Sequence, residues 1–364
     1  MKRFKVGVVG CGNICDIYFK NMTGPFAKQL EVVACADLDM ERAKAKAAAY
    51  GCKAVDVAQI MADPSIEIIV NLTVPKAHFE VAMMAVNAGK HVYSEKPITL
   101  TREQGKTLLA AAAAKNVRVA NAPDTVLGAS HQTCRKLIDD GVLGAPVAAT
   151  AFMQCHGHES WHPDPEFYYE VGGGPMFDMG PYYLTALVNM FGPVARVTGV
   201  ARASFPTRTI TSEKKNGKII NVEVPTHVVG ILEFVNGAVA NIITTFDVWA
   251  ATLPPIQVHG SKGSMQVPDP NHFGGEVKLW TTDKREWTDI PLTHPYPENS
   301  RGIGVADMAA AIEAGIPHTA NGELACHVFD IMQAFHDASA QGRHITLEST
   351  CKLPVPQPVV SRWA

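Results

Sequence analysis

Phe4-Lys5-Val6-Gly7-Val8-Val9-Gly10-Cys11-Gly12-Asn13-Ile14-Cys15 decides how the first third of the chain is read. Phe4 to Val9 is an apolar run suited to a buried strand. It breaks on glycines, and the segment that follows, to about Lys28, can be helical. Leu30-Glu31-Val32-Val33-Ala34-Cys35-Ala36 makes a second strand, closed by Asp37. Strand, glycine turn, helix, strand and acidic end form the context in which a glycine motif carries meaning. The glycines keep the turn tight and let backbone amides at a helix N-terminus approach a pyrophosphate. Gly10, Gly12, Asn13 and Ile14 are therefore candidate cofactor contacts. Asp37 is placed to accept hydrogen bonds from an adenosine ribose, and its charge repels a 2′-phosphate, which favours NAD over NADP. Cys15 stands where the strict fingerprint has its third glycine, so helix and strand pack a little less closely there.

Outward from this stretch, strands and helices keep alternating. Glu41 to Tyr50 is an alanine-rich helix. Ile66 to Leu72 is a strand ending in Thr73-Val74-Pro75, His78 to Ala88 is a helix, and His91 to Ser94 is another strand. A helix from about Thr101 to Lys115 and a strand from Val117 to Asn121 follow. This spacing predicts a doubly wound parallel sheet, an α/β Rossmann domain over residues 1–124. Asn71, Thr73, Pro75 and His78 fall at or just beyond a strand's carboxyl end, on the side expected to face the cofactor, although His78 reads equally well as a first-turn histidine satisfied locally. One strand stops on Glu95-Lys96-Pro97. A lysine at a strand's carboxyl end enters the crevice where open α/β sheets bind ligands, and the proline narrows its backbone choices.

The chain has 364 residues, comfortable for two domains, with 47% hydrophobic and 18% charged residues and a net charge of −3. That profile argues against a nucleic-acid binder or a polybasic membrane-surface protein. No apolar run reaches the ~20 residues of a membrane span. Met1-Lys2-Arg3-Phe4 leads straight into a strand, so no signal peptide is expected. The eight cysteines lack framework spacing and read as small buried hydrophobes in a reducing cytoplasm.

Beyond Asp124 the pattern changes to an α+β domain, residues 125–364, with a large mostly antiparallel sheet. A helix from about Gly128 to Asp140 precedes alternating strands near Pro146–Cys155, Val194–Ala203, Val222–Asn236, Ala238–Asp247, Ile256–Gly260, Met265–Val267 and Val277–Thr281. Asn236-Gly237 signals a tight hairpin. Helices near Val305–Ala314 and Leu324–Gly342 follow, then an extended proline-rich tail from Leu353 to Pro358. Inside this part lies Gly172-Gly173-Gly174-Pro175-Met176-Phe177-Asp178-Met179-Gly180-Pro181-Tyr182-Tyr183. A helix from Gly174 to Phe191 puts Asp178 and Tyr182 on one face, while a start at Pro181 is the alternative because proline breaks a helix interior. Upstream, His156-x-His158-Glu159, Trp161-His162, Asp164 and Tyr168-Tyr169 offer metal-ligand types. Their spacing matches no metal motif, and a proline-broken aromatic loop fits the lining of a carbohydrate pocket better. His156, Trp161, His162 and Asp124 are therefore candidate substrate contacts, and no metal is expected.

Gly10-x-Gly12 with Asp37, then Glu95-Lys96-Pro97, then Gly172-Gly173-Gly174 with Asp178, Gly180 and Tyr182 resemble the Gfo/Idh/MocA oxidoreductases across essentially the whole chain. The resemblance implies an NAD(P)-dependent dehydrogenase of sugars, inositols or related polyols, with Lys96 catalytic and Asp178 as its neighbour or a substrate contact. It also implies a homodimer or homotetramer. Many members carry histidine where this chain has Tyr182; the tyrosine matches the branch that includes glucose–fructose oxidoreductase and dimeric dihydrodiol dehydrogenase. Chemically, an alcohol oxidation needs a base at the hydroxyl. Tyrosine, with a pKa of ~10, needs a nearby cation to serve. Lys96 priming Tyr182 is the first expectation, and Lys96 holding the alkoxide while Tyr182 or Asp178 relays the proton is the second. Rival activities are glycoside cleavage by transient oxidation on a retained NAD and a silent NAD-binding regulator.

Overall fold

The computed structural model describes residues 2–359. Six parallel strands form the first sheet: β1 (Phe4–Val9), β2 (Leu30–Ala36), β3 (Lys53–Ala54), β4 (Ile68–Asn71), β5 (His91–Ser94) and β6 (Val119–Asn121). Five helices connect them: α1 (Cys15–Thr23), α2 (Met40–Tyr50), α3 (Val57–Ala62), α4 (Pro75–Asn87) and α5 (Arg102–Lys115). The strand order is β3-β2-β1-β4-β5-β6. Order reverses between β1 and β4, so the ligand crevice of this architecture opens at the carboxyl ends of those two strands. Residues of β1, β4 and β5 are almost wholly buried, as a sheet covered by helices on both faces requires. The two-residue β3 and the helix α3 carry too few periodic residues to stand out in sequence.

After α6 (Ala129–Asp139) the second sheet begins with β7 (Pro146–Gln154). Then come α7 (Pro175–Asp178), α8 (Gly180–Phe191), β8 (Val194–Arg202) and a small ribbon of β9 (Thr207–Thr209) with β10 (Ile219–Asn221). The remaining strands are β11 (His227–Phe234), β12 (Val239–Thr245), β13 (Ile256–Gly260), β14 (Gly263–Val267), β15 (Val277–Thr281) and β16 (Trp287–Ile290). The helices α9 (Ile303–Ala314) and α10 (Gly322–Gln341) and the short β17 (Ile345–Thr346) complete the order β16-β15-β14-β13-β7-β12-β11-β8-β17. Only β7 and β12 pair in parallel within this sheet, so it is mixed and mostly antiparallel. Asn236-Gly237 makes the expected hairpin between β11 and β12, with Gly237 at φ +90°. One run expected over Val222–Asn236 is divided, because Pro225 cannot donate to a ladder.

Alternation along β11 shows how the sheet is covered. Val228, Leu232 and Phe234 are buried, while Val229 and Ile231 are 38% and 44% exposed. On the covered face α10 lies so close that a Cβ on Gly230 would strike the Phe335 ring. Helix α9 does not join that layer. Its Ile303, Val305, Met308 and Ala309 share a core with Tyr18, Phe19, Met22 and Tyr93 of the first sheet's side. The proline-rich tail is docked: Pro354 O accepts from Arg135 Nη1 (2.9 Å), and the Gln357 amide nitrogen donates to Asp307 (3.0 Å).

The stretch from Gly174 takes the second of its two options. Met179 interrupts the helix, and α8 restarts with Pro181 in its first turn, where a missing N–H costs nothing. In a continuous helix the Asp178 carbonyl would accept from Tyr182 N. Here Tyr182 N donates to Met179 O instead (3.1 Å), and the Asp178 carbonyl is released for another partner.

Candidate active site

Lys96 leaves the end of β5, and Asp178 leaves the end of α7, where the helix break exposes its carbonyl. Lys96 Nζ donates to both Asp178 Oδ1 and Asp178 O, each at 2.8 Å. The side chains are 18% and 16% exposed. Two residues 82 positions apart thus share one largely shielded ion pair. Burial opposes the charge on Lys96, but Asp178, with Tyr182 and Glu95, outweighs it and holds the ammonium above the ordinary lysine value. Burial likewise opposes ionisation of Asp178, and Lys96 and His158 hold that carboxyl well below the usual carboxylate range.

Tyr182 packs its ring 5.6 Å from Lys96 Nζ. Burial pushes its phenol above the ordinary value, and the opposing pull of Lys96 and Arg301 does not cancel that. A phenolate primed by Lys96, the first expectation, is not what this geometry favours, because the lysine's charge is already committed to Asp178. Tyr182 keeps its phenolic proton, and its oxygen accepts from the Arg301 guanidinium. Arg301 reaches the site from the turn before α9, and its Nη2 also holds Asn271 Oδ1 (2.8 Å).

A cavity of about 400 Å³ opens beside the pair. It is lined by Val74, Pro75 and Lys76 after β4, by Lys96, Pro97 and Leu100 after β5, and by Phe167, Tyr168, Gly172 and Gly173 from the loop before α7. Its size and mixed lining suit a small ring compound.

At the neighbouring crevice, Gly10 sits at φ +101°, and a Cβ there would meet the Leu72 carbonyl at 2.5 Å. Beside Gly12 there is open space, and the N-cap Ile14 offers no side chain to the first amides of α1. Asn13 and Ile14 are exposed. Asp37 accepts from Cys11 N (2.7 Å) and Asp39 N (2.9 Å), which fixes its carboxylate at the tip of β2. A tight glycine turn with open space at Gly12, a helix start without a side-chain cap and an oriented carboxylate fit a dinucleotide's pyrophosphate and ribose.

Two family models match, one described as an oxidoreductase family with NAD-binding Rossmann fold (residues 4–122) and one as the GFO/IDH/MocA C-terminal domain (residues 131–266). The chain belongs to the Gfo/Idh/MocA oxidoreductase family. It is 26% identical to dTDP-3,4-didehydro-2,6-dideoxy-alpha-D-glucose 3-reductase of Streptomyces antibioticus over 324 residues, 86% of this chain and 90% of that one. It is 24% identical to scyllo-inositol 2-dehydrogenase (NADP(+)) IolW of Bacillus subtilis over 320 residues, 80% of this chain and 82% of the other. Among solved structures, levoglucosan dehydrogenase in complex with NADH and L-sorbose superposes with a TM-score of 0.82 at 21% identity. That match covers 96% of this chain and all of the other, and it shows a shared fold.

Within this Gfo/Idh/MocA chain several expected contacts take other places. Asp124 is buried, and its Oδ2 accepts from Gly302 N (2.8 Å) and Gly304 N (3.0 Å), so it caps α9 rather than meeting substrate. Asn71 is fully buried and ties three neighbours: His78 O, Ser94 Oγ and the Thr73 hydroxyl. His78 lies between Pro97 O (2.7 Å from Nδ1) and Thr73 O (2.9 Å from Nε2). Both therefore hold the loops that carry Thr73 and Lys96, with their polar atoms satisfied inside the protein. Glu95 accepts from the Tyr18 hydroxyl (2.7 Å) and from Lys96 N (3.0 Å), beneath the site. His156 stacks on Trp249, Trp161 is 62% exposed, and His162 accepts from Asp164 N; none lines the cavity. Pro75 and Tyr168 do. Arg301 carries no motif in sequence, and nothing in its spacing could have placed it beside Tyr182.

Proposed function

We propose that this oxidoreductase transfers a hydride between a secondary hydroxyl of a sugar, inositol or related cyclic polyol and NAD. The observation that carries the reading is the largely shielded Lys96–Asp178 pair lining a cavity that neighbours the crevice at the switch point of the sheet. NAD, when bound, supplies the hydride acceptor. An ammonium has three protons, and Asp178 takes two of them. The third is available to a substrate oxygen, so Lys96 would hold that oxygen and stabilise alkoxide character on it. The protonated Tyr182 hydroxyl would donate to the same oxygen when a carbonyl is reduced. In the oxidative direction, Lys96 or Tyr182 must first give up a proton, and both hold theirs tightly. Oxidation should therefore accelerate as pH rises.

Asp37 supports NAD over NADP, since a carboxylate at the ribose end repels a 2′-phosphate. The sugar and inositol activities printed for the relatives support the substrate class. The exposed apolar residues Val229, Ile231, Val239 and Val200 on the open face of the second sheet support a homodimer or homotetramer. Eight unpaired thiols support a cytoplasmic setting, and among the described residues no helix is long and apolar enough to cross a membrane. The test is a spectrophotometric screen of NADH and NADPH formation over sugars, inositols, anhydrosugars and sugar acids. Turnover of at least one cyclic polyol with NAD is expected. Tight NADH binding with no turnover anywhere in the panel would replace the enzyme by a regulator.

A further inference from the structure

The Lys96–Asp178 pair leaves one carboxylate oxygen, Asp178 Oδ2, without the lysine. His158 Nε2 stands 3.4 Å from it. This histidine is 8% exposed and lies among Tyr168 (ring centroids 3.9 Å apart), Phe246 (4.7 Å) and Trp161 (5.2 Å). Its other nitrogen, Nδ1, is buried, and no protein atom among the described residues pairs with it. An imidazole carrying its proton on Nε2 would turn that proton towards Asp178 and leave the unpartnered Nδ1 as the bare nitrogen. Gly157 makes this placement possible. At φ +78° it turns the chain just past β7, so that His156 faces out onto Trp249 while His158 turns in, and a Cβ at Gly157 would strike Tyr169 and Glu159.

We propose that His158 is a positioning residue for catalysis: its Nε2–H holds Asp178 Oδ2, so that Oδ1 and the Asp178 carbonyl stay aimed at Lys96 and the third ammonium proton points at substrate. The proposal rests on the dehydrogenase reading above. Titratable groups facing His158 are Asp178, with Lys96 behind it, Tyr168 from the same loop, and His162 one turn further on.

Two substitutions separate hydrogen bonding from packing. His158→Gln keeps a donor at the position of Nε2 and loses the ring; His158→Phe keeps the ring and loses the donor. The expected result is that H158Q retains kcat within about threefold, while H158F loses ten- to a hundredfold in kcat with KM for NAD unchanged, the size of loss expected when a positioning contact is removed. The pH–rate profile of H158F should move, because Asp178 then bears on Lys96 alone. As a readout apart from turnover, ¹⁵N spectra of the histidines should show the Nε2–H tautomer at residue 158 in the wild type and lose that bias in D178N. An active H158F beside a crippled H158Q, or loss of NADH binding by both variants, would make the residue a packing element and overturn the proposal. A wild type that oxidises no polyol, with the tautomer as stated, would instead overturn the activity and leave the hydrogen bond standing.

Discussion

Replacing Lys96 by Met removes the ammonium and keeps most of the stem. Asp178 would then keep its carboxylate 84% shielded from solvent with only the 3.4 Å His158 contact, having lost the 2.8 Å bond from Lys96 to Oδ1, and its backbone carbonyl would lose the second 2.8 Å bond. Removing one partner of a buried ion pair costs roughly 3–5 kcal/mol, whereas an exposed pair is worth about 0–1 kcal/mol. The K96M protein should therefore lose stability on the order of 3 kcal/mol at pH 7 in urea unfolding. Asn at position 178 removes the stranded charge, so the double variant K96M/D178N should recover more than half of that loss. The pH dependence follows from the two shifts. The Asp178 carboxyl is held below its ordinary 3.8, so its share of stability is present above that value and is lost as pH falls through the depressed one. Lys96 is held above its ordinary 10.5, so its share is full below that pH and is lost on further alkalinisation. The pair is at full strength between those limits, and K96M should narrow its deficit towards acid pH as Asp178 protonates. Equal stability of K96M and K96M/D178N, or a K96M loss below about 1 kcal/mol, would show that the pair behaves as a surface contact and would remove the physical basis of the site.

Asp124→Ala should destabilise by about 2–4 kcal/mol, as two α9 amides lose their buried acceptor, while KM for substrate stays put; D124N should be nearly silent in both. A substrate KM that rises tenfold in D124N would restore Asp124 to the binding site. Asp37→Ser should weaken NADH binding by about 1.5–3 kcal/mol in a fluorescence titration and narrow the gap to NADPH; unchanged affinity for both would show that the carboxylate does not meet the ribose. With Lys96 and Tyr182 both above their ordinary values, log(kcat/KM) for oxidation should climb with pH through the neutral range and beyond, and reduction should not. An oxidation rate that peaks in the neutral range and falls before pH 9 would identify a different base.

The first sheet was legible in sequence because each strand is a short apolar run ending on a turn signal, with helices of ordinary length between. Lys96 was legible for the same reason, since a charge at a strand's carboxyl end has one place to go. Asp178 was found by its motif, and the helix break at Met179 follows from Pro181 alone. What stayed hidden depends on long-range packing. Asp124 sits at a strand end like Lys96, yet the returning helix α9 takes its carboxylate, and α9 comes from 178 residues away. Asn71 and His78 lie by the crevice, but their polar atoms are taken up by neighbouring backbone and hydroxyl groups, which no local pattern reports. The aromatic loop was read as a unit. In the structure one glycine sorts its members, sending His156 outward and His158 inward, while Phe167 and Tyr168 reach the cavity.

The most direct measurement compares NADH formation by the wild type and by K96M on the best polyol in the panel, with NADH affinity determined on the same preparations. The wild type should turn over, and K96M should lose about 10²–10³ in kcat, the usual result of removing one donor from a developing oxyanion, with NADH affinity within a few-fold of wild type. A K96M enzyme that keeps its cofactor and turns over within about threefold of the wild type would contradict the central claim, because the buried lysine would then hold no reacting oxygen.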